Sequence, residues 1–208
     1  MSQYTQDLAL LRRFEPVIKY TRGERFFPMD VTGYVQNCSL WHQQPGRDAE
    51  LLVPQGELTL DKLGDMRLDS AGSVQFLKFT EPLNLSALTA YRVQEGLTQR
   101  KTEDKFRAGR GRLARVGYGA RVIDAFFQLT SLLRGRVPGD TATAALLSYQ
   151  QMMRDQPHYC YYGRVVRQQG WVVCQYWFFY AFNNWRSAFF GGNDHESDWE
   201  MICVYLSQ

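Results

Sequence analysis

The sequence predicts an α+β protein with antiparallel sheet, and three observations carry that prediction. A helical stretch, residues 84–156, separates two β-rich stretches, 1–82 and 159–208. Gln168-Gln169-Gly170 joins two strand-like runs as a short glycine-containing turn, the usual connection between antiparallel neighbours. The run Trp171–Phe182 is apolar or aromatic at both parities, as befits a central strand covered on both faces. The three stretches read as parts of a single domain, 1–208.

In the first stretch, Tyr34–Trp41, Glu50–Val53 and Val74–Phe79 are short β-like runs. Turn clusters separate them, such as Gln44-Pro45-Gly46-Arg47-Asp48 and Asp69-Ser70-Ala71-Gly72-Ser73. In the second, Ser86 can cap a helix over Ala87–Leu97. Asp140 or Thr141 can cap another over Ala142–Arg154, which Gln156-Pro157 ends. Leu113–Leu133 between them carries spaced apolar residues, interrupted near Gly117 and Gly119. In the third, Tyr159–Arg167 and Trp171–Phe182 make the hairpin, and Asp194–Leu206 supplies a further neighbour.

Composition narrows the function. With 208 residues, 45% of them hydrophobic, the chain can bury a core without a disulfide or metal staple and is too apolar to be disordered. A net charge of +3 is too small to imply nucleic acid, and no reading motif is present, so no specific nucleic-acid partner is expected. The charge is uneven: residues 100–136 hold ten basic side chains against three acidic ones, a local +7 that leaves −4 on the remainder. That segment is a candidate docking surface for an anionic partner or a membrane surface; a solvated helix pair packed on the sheet is the competing reading. Cys38, Cys160, Cys174 and Cys203 form no C-x-x-C pair, which argues against a cysteine-built zinc site and for free intracellular thiols. No cationic-then-apolar leader and no membrane-length apolar run is visible, so a soluble cytoplasmic protein is expected. Gly109–Ala114 matches G-x-G-x-x-A only formally, because the preceding Thr102–Ala108 cannot be a buried parallel strand.

The chemistry concentrates in Asp194-His195-Glu196-Ser197-Asp198-Trp199-Glu200. Read with period two, Glu196, Asp198, Glu200, Ile202, Val204 and Leu206 share one strand face. The aliphatic half of that face should be buried, so Asp198 and Glu200 are expected on the line that becomes core. Like charges two residues apart, about 7 Å along a strand, repel where water is scarce and need a cation, an arginine or shared protons. A bend at Gly191-Gly192 would let His195 turn toward them. Carboxylates suit Ca²⁺, Mg²⁺ or Mn²⁺. The residues alone leave two readings open, a cation site and a structural salt bridge to Arg186 or Arg164. His42 and His158 lack acidic neighbours at ligand spacing and read as loop residues.

His195-x-x-Asp198-Trp199-Glu200, following the aromatic run Gln175–Phe182, resembles the H-x-x-D-W-E signature of the vacuolar protein sorting-associated protein 62 family. It is also similar to the G-H-R-H-D-W-E heptad of the necrosis-inducing, Nep-like proteins. Pro16–Val31, with Glu24-Arg25-Phe26-Phe27-Pro28-Met29-Asp30 within it, resembles the start of bacterial members. The match thus brackets both ends and makes the helical stretch an insertion. The resemblance implies a β-sandwich with an acidic central cavity. It carries the heptad's cation ligands onto His195, Asp198 and Glu200. On that footing Asp194, Asn183, Asn184, Glu24 or Asp30 would complete the shell, and Trp177, Trp185 and Trp199 would form aromatic walls. Related chains continue past the motif with further strands, so the sandwich is expected to be truncated at its C-terminus or completed by a second chain. The function expected is a metal-dependent binding module for a polar headgroup or glycan. The alternative is a metal-assisted hydrolase using the Asp198 and Glu200 carboxylates, and a plain structural subunit is the third reading.

Overall fold

The computed structural model of the chain describes residues 2–20, 24–65, 72–81, 83, 86–91, 93, 140–155, 158–183 and 195–207. Within them lie two three-stranded antiparallel sheets and several helices, an α+β arrangement. The Arg100–Arg136 segment, the Leu113–Leu133 stretch, Gly109–Ala114, Gly191-Gly192, Asn184, Trp185, Arg186 and Asp194 lie outside the described residues. No described helix is long and apolar enough to cross a membrane.

Helix α1 (Gln3–Arg13) opens the chain, where the sequence reading expects only short β-like runs. Ser2 caps it, its Oγ accepting the Thr5 N–H at 3.3 Å, and Arg12 and Arg13 oppose the dipole of the last turn. So short a helix is held by what it packs on. Leu11 and Leu10 sit against Cys174, Tyr176 and Phe178 of the second sheet, and the Tyr176 hydroxyl donates to the Leu11 carbonyl at 2.9 Å. Helix α2 (Val31–Gln36) takes the front of the expected Tyr34–Trp41 run and leaves a strand only from Ser39. Its cap is Asp30, whose Oδ1 accepts the Thr32 N–H at 2.6 Å. The first sheet has order β2-β1-β3, from β1 (Ser39–Gln43), β2 (Glu50–Val53) and, after helix α3 (Leu60–Asp65), β3 (Val74–Lys78). His42 is therefore a strand residue, paired with Glu50 and Gln75, and not a loop histidine. Residues 86–91 are helical, within the helix expected over Ala87–Leu97, and Ser86 is already part of that helix.

Helix α4 (Asp140–Asp155) matches the capped element expected there. Ala145, Leu146, Tyr149 and Met152 fall on one stripe and enter the larger core. Then come β4 (Tyr162–Gln168), β5 (Trp171–Asn183) and β6 (His195–Ser207), forming the second sheet in that order. The turn between β4 and β5 puts Gln169 and Gly170 both at positive φ, 51° and 79°, which suits the twist of a tight hairpin.

Strand β5 is covered on both faces by separate cores, as its composition predicts. Phe179 and Ala181 join Tyr34, Leu40, Leu58, Phe79 and the α4 stripe in the larger one. Cys174, Tyr176 and Phe178 form the smaller one under α1. Gly163 in β4 lets α1 come this close, because a Cβ there would lie 2.6 Å from Leu11 Cδ1. Gly163→Ala is therefore expected to cost about 1–2 kcal/mol by overpacking. The cost should largely vanish in a Leu11→Ala background, where the space is free; urea unfolding of the four variants of the cycle measures this.

Candidate functional site

The site lies on the C-terminal half of β5, where two stretches far apart in sequence meet. On one edge β4 ends at the pair Tyr162↔Trp177, and the next β5 carbonyl along that edge, Phe179 C=O, accepts the Met29 N–H at 2.9 Å. The segment around Met29 is pinned further by tyrosines. Tyr162 Oη accepts the Val31 N–H at 2.9 Å, and Tyr149 Oη accepts the Phe27 N–H at 3.0 Å. On the other edge β6 pairs with the same length of β5, in the register Phe178↔Glu200, Phe179↔Trp199 and Tyr180↔Asp198.

That register fixes faces. Asp198 and Glu200 share the face of Phe178 and Tyr180, as period two predicts. Burial does not follow the expectation: Asp198 is half-buried but Glu200 is exposed, because among the described residues β6 is the outer strand and no element covers this end of its face as α1 covers the other. Asn183 donates to Asp198 Oδ2 at 2.9 Å, and His195 Nε2 stands 3.7 Å from Asp198 Oδ1. His195 is thus brought to Asp198. Among the described residues no arginine forms an ion pair with Asp198 or Glu200, so the salt-bridge reading through Arg164 finds no support there.

The Tyr180 hydroxyl marks the centre of the group. It meets the Tyr20 hydroxyl at 3.5 Å. Its ionisation is pushed far up, first by burial, then by the hydrogen bond to Tyr20 and by the negative charges of Glu200 and Glu24. Glu24 thus acts on this hydroxyl in the same direction as Glu200. It also accepts the Arg25 and Phe26 N–H groups, at 3.0 and 3.3 Å, which fixes its carboxylate at the start of the segment. Asp30 goes elsewhere: it caps α2, and the hydrogen bonding from Thr32 holds its carboxyl below the usual range.

Two expectations are corrected by geometry. The period-two reading puts Glu196 beside Asp198 and Glu200, but Ser197 takes a left-handed φ of 54° and turns the strand end over. Glu196 leaves that face, and its two carboxylate oxygens accept the Phe79 and Thr80 N–H groups at 2.8 and 3.0 Å. Its Cα partner Phe182 likewise sits in the larger core beside Phe179. The second correction concerns the aromatic walls. Trp199 stacks on Phe179 and Tyr162, with ring centroids 5.0 and 5.5 Å away, and Trp177 pairs with Tyr162 and Met201. Both stand on the face opposite Asp198 and Glu200, whose cross-strand aromatic partners are Tyr180 and Phe178. Sequence reasoning overlooked Tyr180, the Tyr20 hydroxyl that meets it, and the separate placement of Glu196. Tyr180 was the more detectable of the two tyrosines, since it lies within the aromatic run expected to pair with the motif strand.

Among the described residues no three His, Cys, Asp or Glu side chains converge closely enough to hold a metal ion directly. All four cysteines are free thiols. Burial pushes the Cys38 thiol up to about 12, so it is inert rather than nucleophilic. No family model, no curated protein and no solved structure matches the chain.

Proposed function

We propose that the chain is a binding module whose ligand docks against the carboxylates around Tyr180, with a divalent cation as part of the recognition of a polar headgroup or glycan. The supporting observation is that Asp198 and Glu200 share one strand face opposite Tyr180 and Phe178, with Asn183 and His195 against Asp198 and the charges of Glu200 and Glu24 both acting on the Tyr180 hydroxyl. Among the described residues no arginine forms an ion pair with Asp198 or Glu200, and negative charge gathered on one face in that way favours a cation. Calcium and magnesium both accept water in their shells, so carboxylates that do not converge can still hold one through bridging waters. In this proposal Asp198 and Glu200 are the principal ligands, and His195 and Glu24 flank them.

The finer fold reading belongs to the same proposal. One core draws on both sheets, with Leu40, Val53, Leu77 and Phe79 from the first and Phe179, Ala181 and Phe182 from the second. That supports their being the two halves of a sandwich of the necrosis-inducing type. Four unpaired thiols support a reducing, cytoplasmic setting.

Thermal unfolding with added Ca²⁺, Mg²⁺ or Mn²⁺ tests the proposal. A cation at 100 times its Kd stabilises the folded state by about 2.7 kcal/mol. The expected result is an upward shift in Tm with at least one of the three, absent when Asp198→Asn and Glu200→Gln are combined. The same shift in that double variant would contradict it.

A further inference from the structure

The feature left over by the carboxylate site is the rest of β6. It is a 13-residue strand at the edge of its sheet, paired only with β5 among the described residues, whereas the edge strands of the first sheet have four and five residues. Long open edges are ordinarily blunted by charge, proline, a bulge or a covering element. From Met201 to Ser207 none of the first two is present in the sequence, and the register with β5 runs unbroken through those residues. The strand also shows large apolar side chains to water on both faces: Trp199 is 45% exposed, Met201 43%, Ile202 36% and Tyr205 64%.

We propose that this edge is where a second copy of the chain docks, the two β6 strands running antiparallel about a two-fold axis at Ile202 and joining two three-stranded sheets into one of six. The charge pattern of the strand selects this occupant and this direction. Glu196, Asp198 and Glu200 all lie in the first six residues, and the remaining seven are uncharged. A parallel copy would lay carboxylate beside carboxylate, and like charges directly opposite are destabilising. The antiparallel copy puts Glu200 against Val204 and Asp198 against Leu206. It keeps the two Glu200 residues roughly 14 Å apart, four residues of strand, and the two Asp198 residues roughly 27 Å apart. On the other face it sets Trp199 against Tyr205 and Met201 against Cys203, aromatic–aromatic and sulfur–sulfur neighbours. The strand is therefore complementary to itself under a two-fold, the symmetry of most homodimers. Trp171, nearly half exposed and edge-on to Tyr205 at 6.3 Å, extends the same apolar face inward from the edge.

The test is the mass of the intact chain in solution, with variants on exposed β6 positions. Sedimentation equilibrium is expected to give two chains, and Tyr205→Lys or Met201→Lys to weaken association at least 100-fold while the far-ultraviolet circular dichroism stays unchanged. Met201→Cys places a thiol against Cys203 of the second copy, so mild oxidation is expected to yield a covalent dimer that Cys203→Ser abolishes. A monomer, a mass above two chains, an intact dimer in both lysine variants, or a dimer that Met201→Cys fails to trap would each overturn the proposal. None of these outcomes depends on cation binding, so this inference and the proposed function stand or fall apart from one another.

Discussion

Glu196→Ala is expected to cost the folded protein about 2–4 kcal/mol, because it strands two buried backbone donors at once. Phe79 and Thr80 are both buried, and their N–H groups have the Glu196 carboxylate as acceptor. This carboxylate ties the end of β3 to the start of β6, so it links the two sheets directly. Its own ionisation is raised, chiefly by burial, with the two N–H bonds and Lys78 opposing that and Glu81 adding to it. The sign of the pH effect follows. Between the ordinary glutamate value and the raised native one, the folded chain holds more protons than the unfolded chain, so stability falls as pH rises through that window and levels off above it. Glu196→Gln keeps an acceptor oxygen, loses less than alanine does and flattens that slope. Urea midpoints measured across that window report both effects. An alanine variant within 0.5 kcal/mol of the parent, about the size of an ordinary surface substitution, would remove Glu196 from this position in the account.

Phe179→Ala is expected to cost more, about 3–5 kcal/mol, as a buried aromatic truncated in a packed core. Phe179 is almost wholly buried between Tyr34, with centroids 4.9 Å apart and edge to face, and Trp199 at 5.0 Å. Its neighbours are held from several elements, with Tyr34 on α2, Trp199 on β6 and Met29 hydrogen-bonded to its own carbonyl. A cavity there cannot close by moving one side chain. The same truncation removes one wall from Trp199, so its fluorescence should shift to the red in the folded state before any unfolding. A loss below about 1 kcal/mol would mean that the larger core does not run through this residue.

How much of this was legible depends on how many local signals agreed. The β4–β5 hairpin was plain because a glycine turn joins two dense aromatic runs, and β5 itself falls within one residue of its expected bounds. Helix α4 was plain because its cap, its apolar stripe and the following proline coincide. Helix α1 was hidden, since Leu10 and Leu11 gain their value only from the Tyr176 face that Gly163 leaves open. In α2 the capping by Asp30 outweighs the strand preference of Val31, Thr32 and Val35. At the site, the alternation correctly set Asp198 and Glu200 on one face. It failed at Glu196 because a positive φ at a serine has no compositional marker. Trp177 and Trp199 fall on the opposite face by parity alone, which the sequence already contains. The meeting of Tyr20 and Tyr180 was not readable at all, since a contact between residues this far apart is made only by the fold.

The carboxylate group around Tyr180 is the centre of the functional account, and isothermal calorimetric titration of the intact chain with Ca²⁺, Mg²⁺ and Mn²⁺ in turn addresses it most directly. A saturable heat is expected for at least one ion. It should be lost when Asp198→Asn and Glu200→Gln are combined and kept in Glu196→Gln, whose side chain lies on the other face. No heat with any of the three ions, or an unchanged isotherm in the double variant, would contradict the account.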